Sequence, residues 1–284
     1  MKKNDRLGWN KTLHYSIIAL STVLIKLHWF LDTVMPNHLK FDVKPLYPIT
    51  FFETRYLYLL MHFVPIIPIL LLSFDKKVGF YKTWRYLFPA LVIVAVPFWI
   101  WDILKTERQV WGFNPKYYTH LFINLPIEEW FFFITFPWAS VFIYLCLNAW
   151  FPISKILDFF TKNDKFVTIG LIVIFFAIGF TFIGHLYTVT TFGIAGVVLL
   201  AQYLLGDAHI RPYFYRAFLV ATIPFILINS VFTGAFTIQP IVVYNPDEYI
   251  GIRFGTIPLD DFAYNFALQF GVIVVFYFLQ QRRN

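Results

Sequence analysis

A single cysteine, Cys146, leaves no partner for a disulfide framework and no thiolate set for zinc. Charged residues are scarce, at 14% of the 284-residue chain, against roughly 25% in soluble domains. No Gly-x-Gly-x-x-Gly or Walker loop is present, so no nucleotide cofactor is implied. The seven histidines, at 14, 28, 38, 62, 120, 185 and 209, do not form the clustered boxes of membrane di-iron oxygenases. The aspartate-rich motif that holds magnesium diphosphate in membrane prenyltransferases is also missing. No metal site is therefore expected.

What the chain has is apolar bulk. Hydrophobic residues make up 59% and aromatics 22%, and the mean hydropathy is +0.65. A water-soluble fold of this size cannot hide that much apolar surface, and disorder is excluded by the same hydrophobicity. The expected class is an all-α polytopic membrane protein. The net charge of +7 is scattered in short clusters between apolar runs. It reports topology rather than nucleic-acid binding, and no nucleic acid is expected as a partner. No small-residue cleavage site follows the start, so the helices themselves are expected to direct insertion.

A bilayer-spanning helix needs about 20 mostly apolar residues. Eight stretches qualify: A (13–34), B (55–73), C (86–104), D (127–147), E (166–183), F (186–205), G (213–233) and H (258–279). Helix A is interrupted by Lys26, His28 and Asp32 and either crosses or lies in the interface, giving seven to eight transmembrane helices. With the N-terminus inside, the inner segments hold 15 Lys and Arg and the outer segments 7. That bias places both termini inside.

The chain repeats itself. Phe113-Asn114-Pro115, Tyr118 and Leu125-Pro126-Ile127-Glu128-Glu129 return as Tyr244-Asn245-Pro246, Tyr249 and Ile257-Pro258-Leu259-Asp260-Asp261, offset by 131 or 132. Helices B, C and D map onto F, G and H, with E as a connector. Three helices plus one connector give both copies the same orientation, a parallel repeat. The organisation expected is an N-terminal extension (1–50), a first repeat (51–150), a connector (151–184) and a second repeat (185–284).

The twinned acids carry the chemistry. Proline suits the first position of a helix and acids suit its first turn, so any one such motif could be a plain helix start. Its repetition, and the aromatic runs that follow at once, argue for more. Ionisable groups at membrane depth cost at least ~2.5–3.5 kcal/mol when charged and usually have a function. Apolar surroundings favour a neutral carboxyl and the helix dipole favours an anion, and adjacent carboxyls titrate as a pair. A neutral carboxyl there could give a proton to something greasy. Glu128, Glu129, Asp260 and Asp261 are the candidate acid/base residues. Asp102, which ends helix C, either assists them or marks the water boundary. Asn114 and Asn245 precede prolines and suit turns, though they stay candidates for substrate contact; Asn229 is placed to bridge helices. Trp99, Trp101, Trp130, Phe131 and Tyr264 are expected to line a pocket, where aromatic faces stabilise a cation by roughly 0.5–2 kcal/mol each.

The stretches Trp111-Gly112-Phe113-Asn114-Pro115 and Asn124-Leu-Pro-Ile-Glu-Glu-Trp-Phe-Phe-Phe resemble the first half of the heterodimer-type lycopene cyclases. Gly251-Ile-Arg-Phe-Gly-Thr-Ile-Pro-Leu-Asp-Asp-Phe resembles the second half. Some bacteria keep these halves as separate proteins; here they look fused, over about residues 55–280. The resemblance implies proton-initiated closure of the linear ends of lycopene into β rings, without net redox change and without flavin or nicotinamide. It implies a carotenoid substrate held within the bilayer, a bacterial inner-membrane location, and room for association with other carotenoid enzymes. Two alternatives stand beside it. One is a cyclase for fifty-carbon carotenoids or for ε or γ rings. The other is a small proton-coupled transporter or lipid-binding protein.

Overall fold

The structure, a computed structural model, describes residues 43–281; helix A lies outside the described residues. The helices are α1 (Leu57–Leu72), α2 (Trp84–Glu107), α3 (Ile127–Trp150), α4 (Lys155–Lys162), α5 (Asp164–Thr181), α6 (Leu186–Leu205), α7 (Ile210–Phe232) and α8 (Leu259–Gln281). Stretches B to H reappear within three residues of their expected ends. The addition is α4, too short and too mixed in character to stand out, and started by Ser154, whose Oγ accepts from Leu157 N at 3.2 Å. The six helices α2, α3 and α5 to α8 are long and apolar enough to cross a membrane. Helix α1 is as apolar but has 16 residues, about 24 Å of rise. Outward-facing side chains such as Val64, Ile67, Phe166 and Leu205 are exposed hydrophobics, as lipid contact requires.

Helices α3 and α8 form the centre. Each packs against the first helix of its own copy, α1 or α6, and against the second helix of the other copy, α7 or α2. The copies are thus interdigitated, and any space beside α3 or α8 is walled by both. Between the helices lies a core that includes Leu87, Leu91, Phe133, Phe214, Phe270 and Phe276.

At the acid-bearing ends the loops build a roof. Strand β1 (Trp111–Phe113) pairs antiparallel with β4 (Val242–Tyr244), Trp111 facing Tyr244 and Phe113 facing Val242. The ribbon is symmetric about Gly112 and Val243. Its flanking bonds are symmetric too: Asn114 N donates to Ile241 O at 2.8 Å and Asn245 N to Val110 O at 2.9 Å. A small hairpin precedes each acid pair, β2 (Phe122–Ile123) with β3 (Leu125–Pro126), and β5 (Arg253–Phe254) with β6 (Ile257–Pro258). Their turns need left-handed backbone at Asn124 (φ 59°) and Gly255 (φ 62°), the residue types that tolerate it. Ile127 N to Leu121 O (2.8 Å) and Leu259 N to Ile252 O (3.0 Å) lock both helix starts identically. The shared ribbon brings both acid pairs to one end of the bundle. Glu53 ties this roof down, pairing with Lys116 and accepting from Tyr117 Oη (2.8 Å) and Ile238 N (2.7 Å).

Candidate active site

Pro126 and Pro258 sit where α3 and α8 begin, and the acids follow in the first turn. Consecutive helix residues point about 100° apart, so the two acids of each pair serve different ends. The first acid turns back to the loop. Glu128 Oε1 accepts from Thr119 N at 2.8 Å. Asp260 accepts from Ile250 N at 3.3 Å and from Thr188 Oγ1 at 2.5 Å. Both are fully buried and neither faces the cavity described next.

The second acid of each pair faces that cavity. Glu129 Oε2 accepts from the Tyr58 hydroxyl. Asp261 Oδ1 accepts from Tyr187 Oη at 2.5 Å, and its Oδ2 accepts from Asn229 Nδ2 at 2.8 Å and Tyr244 Oη at 2.9 Å. Asp102 joins them: Trp111 Nε1 donates to its Oδ1 at 2.6 Å, and its carboxyl lies near that of Glu129 and the Thr106 hydroxyl. Tyr58 and Tyr187 are equivalent in the two copies. His62 stacks behind Tyr58 at 5.6 Å and helps fix that ring.

The cavity has a volume of about 360 Å³, within the range of small-molecule sites. Its roofed end holds Glu129, Asp102, Asp261 and Tyr264 beneath Trp111 and Tyr244. From there it runs past Phe132 and Phe136 to Pro65, Pro68 and Leu72. Tyr58 to Leu72 along α1 is about 21 Å of helix rise. Pro65, Pro68 and Pro224, inside α1 and α7, each remove an intrahelical hydrogen bond on its wall. Helices α1 and α7 both pack on α3, and the wall residues Val64 and Leu72 are 54% and 53% exposed on the outer surface. The α1 wall of the cavity therefore reaches the apolar outer surface of the bundle. Among the described residues, no lysine or arginine lines the cavity.

Of the aromatics expected at a pocket, Tyr264 lines the cavity. Trp101 packs at a tilt against Tyr264, with centroids 4.9 Å apart. Trp99 and Trp130 pair with each other instead, at 5.1 Å, and their indoles bond to the carbonyls of Trp130 and Ile123. Phe131 is 50% exposed and faces outward, because it is a further 100° round the helix from Trp130. Asn114 bonds Gln239 Oε1 and Pro240 O, both at 3.1 Å, and Asn245 Oδ1 accepts from Asp247 N. These asparagines hold loops and do not line the cavity. Asn229 reaches across to Asp261, a helix bridge at the site itself.

Tyr58, Tyr187 and Tyr244 were not among the candidate site residues read from the sequence, Tyr244 entering only as part of the repeated motif. Repetition could have found the first two, since Tyr58 and Tyr187 lie 129 apart at the start of matching helices. A hydrogen bond to a carboxylate is worth roughly 1.5–3 kcal/mol. Tyr187→Phe should slow substrate turnover in isolated membranes by about 10- to 100-fold, with little change in the substrate concentration for half-maximal rate. An unchanged rate would mean that Asp261 does not rely on that donor.

A lycopene cyclase family model matches residues 55–147 and 184–279, about two thirds of the chain. No curated protein and no solved structure matches it. The two matched stretches contain both acid pairs, Asp102, the ribbon and every helix that walls the cavity, and on this ground the chain belongs to the lycopene cyclase family.

Proposed function

We propose that this membrane-embedded carotenoid cyclase closes β rings on the linear ends of lycopene, and that Glu129 and Asp261 are its reacting carboxyls. One observation carries the reading: carboxyls from both halves converge at the roofed end of one apolar cavity whose α1 wall reaches the bundle's outer surface. A hydrocarbon dissolved in the bilayer could enter between α1 and α7 without crossing water.

The reaction needs a proton given and a proton taken. A carboxylic acid protonates C2 using the C1=C2 electron pair, leaving a tertiary cation at C1. The C5=C6 pair forms the C1–C6 bond and moves the cation to C5. A carboxylate takes the proton from C6, and that bond pair restores C5=C6. Atoms and charge balance, so the reaction is an isomerisation of the intramolecular-lyase type. The carboxyl-lined end and its aromatic faces suit a cation, because, among the described residues, no competing positive side chain lines the space. The apolar passage keeps water from quenching it.

The test is expression in a lycopene-accumulating bacterium. Red cells should turn orange-yellow, and chromatography should find β-carotene. Products with ε or γ rings would keep the family and refute the ring type. Red cells with the protein present in membranes would refute the substrate.

A further inference from the structure

We infer that the two carboxyl sites have fixed and different duties: Glu129, holding a proton in common with Asp102, starts the cyclisation, and Asp261 removes the C6 proton. The inference rests on the cyclase reading above and goes on to divide its labour. It follows from counting hydrogen-bond donors. Asp102 Oδ2 is buried and makes no hydrogen bond of normal geometry, its near neighbours being the Thr106 hydroxyl and another carboxyl, Glu129. Ionised carboxyls only accept, so a hydrogen bond between two of them exists only when one carries a proton. The outer oxygens of this pair already have donors, Trp111 Nε1 on Asp102 and the Tyr58 hydroxyl on Glu129. The place left for a proton is between them. Both carboxyls line the cavity, and Glu129, about one and two turns before the cavity phenyls Phe132 and Phe136 on the same helix, is the member assigned to the transfer to substrate. Asp102 is a positioning residue that holds the proton on it.

Asp261 has the opposite surroundings. Three donors take up three of the roughly four acceptor positions of its two oxygens: Tyr187, Tyr244 and Asn229. A resting proton there would leave fewer positions to accept these donors, or turn a tyrosine hydroxyl from donor to acceptor. Asp261 is therefore built to rest as an acceptor and to take a proton when the C5 cation releases one. One proton leaves Glu129 for C2, one arrives at Asp261 from C6, and the enzyme ends the turnover with the same number it began with.

Ring closure and ring type separate the two duties. Without its acid, the enzyme forms no cation. Without its base, the C5 cation loses a proton elsewhere, from C4 to give an ε ring or from the C5 methyl to give a γ ring. Wild type, Glu129→Gln, Asp102→Asn and Asp261→Asn are compared in lycopene-containing membranes, with each protein's amount measured by immunoblot. Glu129→Gln and Asp102→Asn should each lose at least 100-fold in rings closed, and any residual product should remain β. Asp261→Asn should still close rings, at a lower rate, with ε or γ rings exceeding β. If Asp261→Asn fails to accumulate, Tyr244→Phe decides, since it leaves the carboxyl but removes one donor; it should raise the ε and γ share at least threefold. Lowering the pH should return part of the Asp102→Asn activity, because Glu129 then takes its proton from solution. The titratable groups near enough to act on Glu129 are Tyr58 (α1), Asp102 (α2), its neighbour Glu128 (α3), Tyr244 (β4) and Tyr264 (α8). A packing defect would not answer to pH. Asp261→Asn giving only β rings or none while present in membranes, Tyr244→Phe giving wild-type ring types, or ring-type changes in Glu129→Gln would overturn the assignment. Failure of the wild type to cyclise lycopene would instead refute the cyclase reading.

Discussion

Glu129→Gln is expected to leave lycopene linear, with conversion in isolated membranes down by about 10²- to 10⁴-fold, the range for loss of a general acid. Glutamine keeps the shape of the side chain and can still accept from the Tyr58 hydroxyl. What it lacks is a transferable proton. Its neighbour provides the contrast. Glu128 is as buried as Glu129, yet its carboxyl serves the Thr119 amide and its side chain does not face the cavity. Glu128→Gln preserves that acceptor and should keep conversion within about tenfold of wild type, a loss no larger than about 1.4 kcal/mol. Rates per amount of membrane-inserted protein separate the two. An active Glu129→Gln with an inactive Glu128→Gln would reverse the division of each acid pair.

The second large effect is steric. Ala221, 3% exposed on α7, lines the passage. It lies eight residues before Asn229, the donor to Asp261, and so about 12 Å along the helix from the acids. Ala221→Trp puts an indole where the polyene must run and should cut conversion at least 100-fold while every carboxyl stays in place. Overpacking costs roughly 1–3 kcal/mol of stability, so the protein should still be recovered folded in detergent. Leu219→Trp is the control, because Leu219 is 53% exposed on the same helix and does not line the cavity. It should cyclise at the wild-type rate. A fully active Ala221→Trp would mean that substrate reaches the acids by another way.

The fold was legible because its signals are periodic and strong. Seven apolar runs became seven helices, and the Asn-Pro and Pro-acid-acid repeats became one ribbon and two matching hairpins. Helix α4 was not legible, since eight residues of mixed character resemble a polar connection. At the site, the acid pairs stood out by spacing, but their inner division did not. Which acid faces the cavity depends on the angle at which α3 and α8 meet their neighbours. The choice of aromatics by nearness in sequence had the same weakness. Phe131 is two residues from Glu129 and points to lipid, whereas Tyr187 and Tyr244 are far away in sequence and touch Asp261. Interdigitated packing, with α7 beside α3 and α2 beside α8, builds one site from two halves. No linear pattern announces that.

The most direct measurement is an experimental structure of the Glu129→Gln protein with lycopene bound. One linear end group should lie between residue 129 and Asp261 beneath the Trp111–Tyr244 ribbon, with the polyene following α1 toward Leu72 and out into lipid. An end group seated elsewhere, or a polyene lying outside the groove between α1, α3 and α7, would contradict the account.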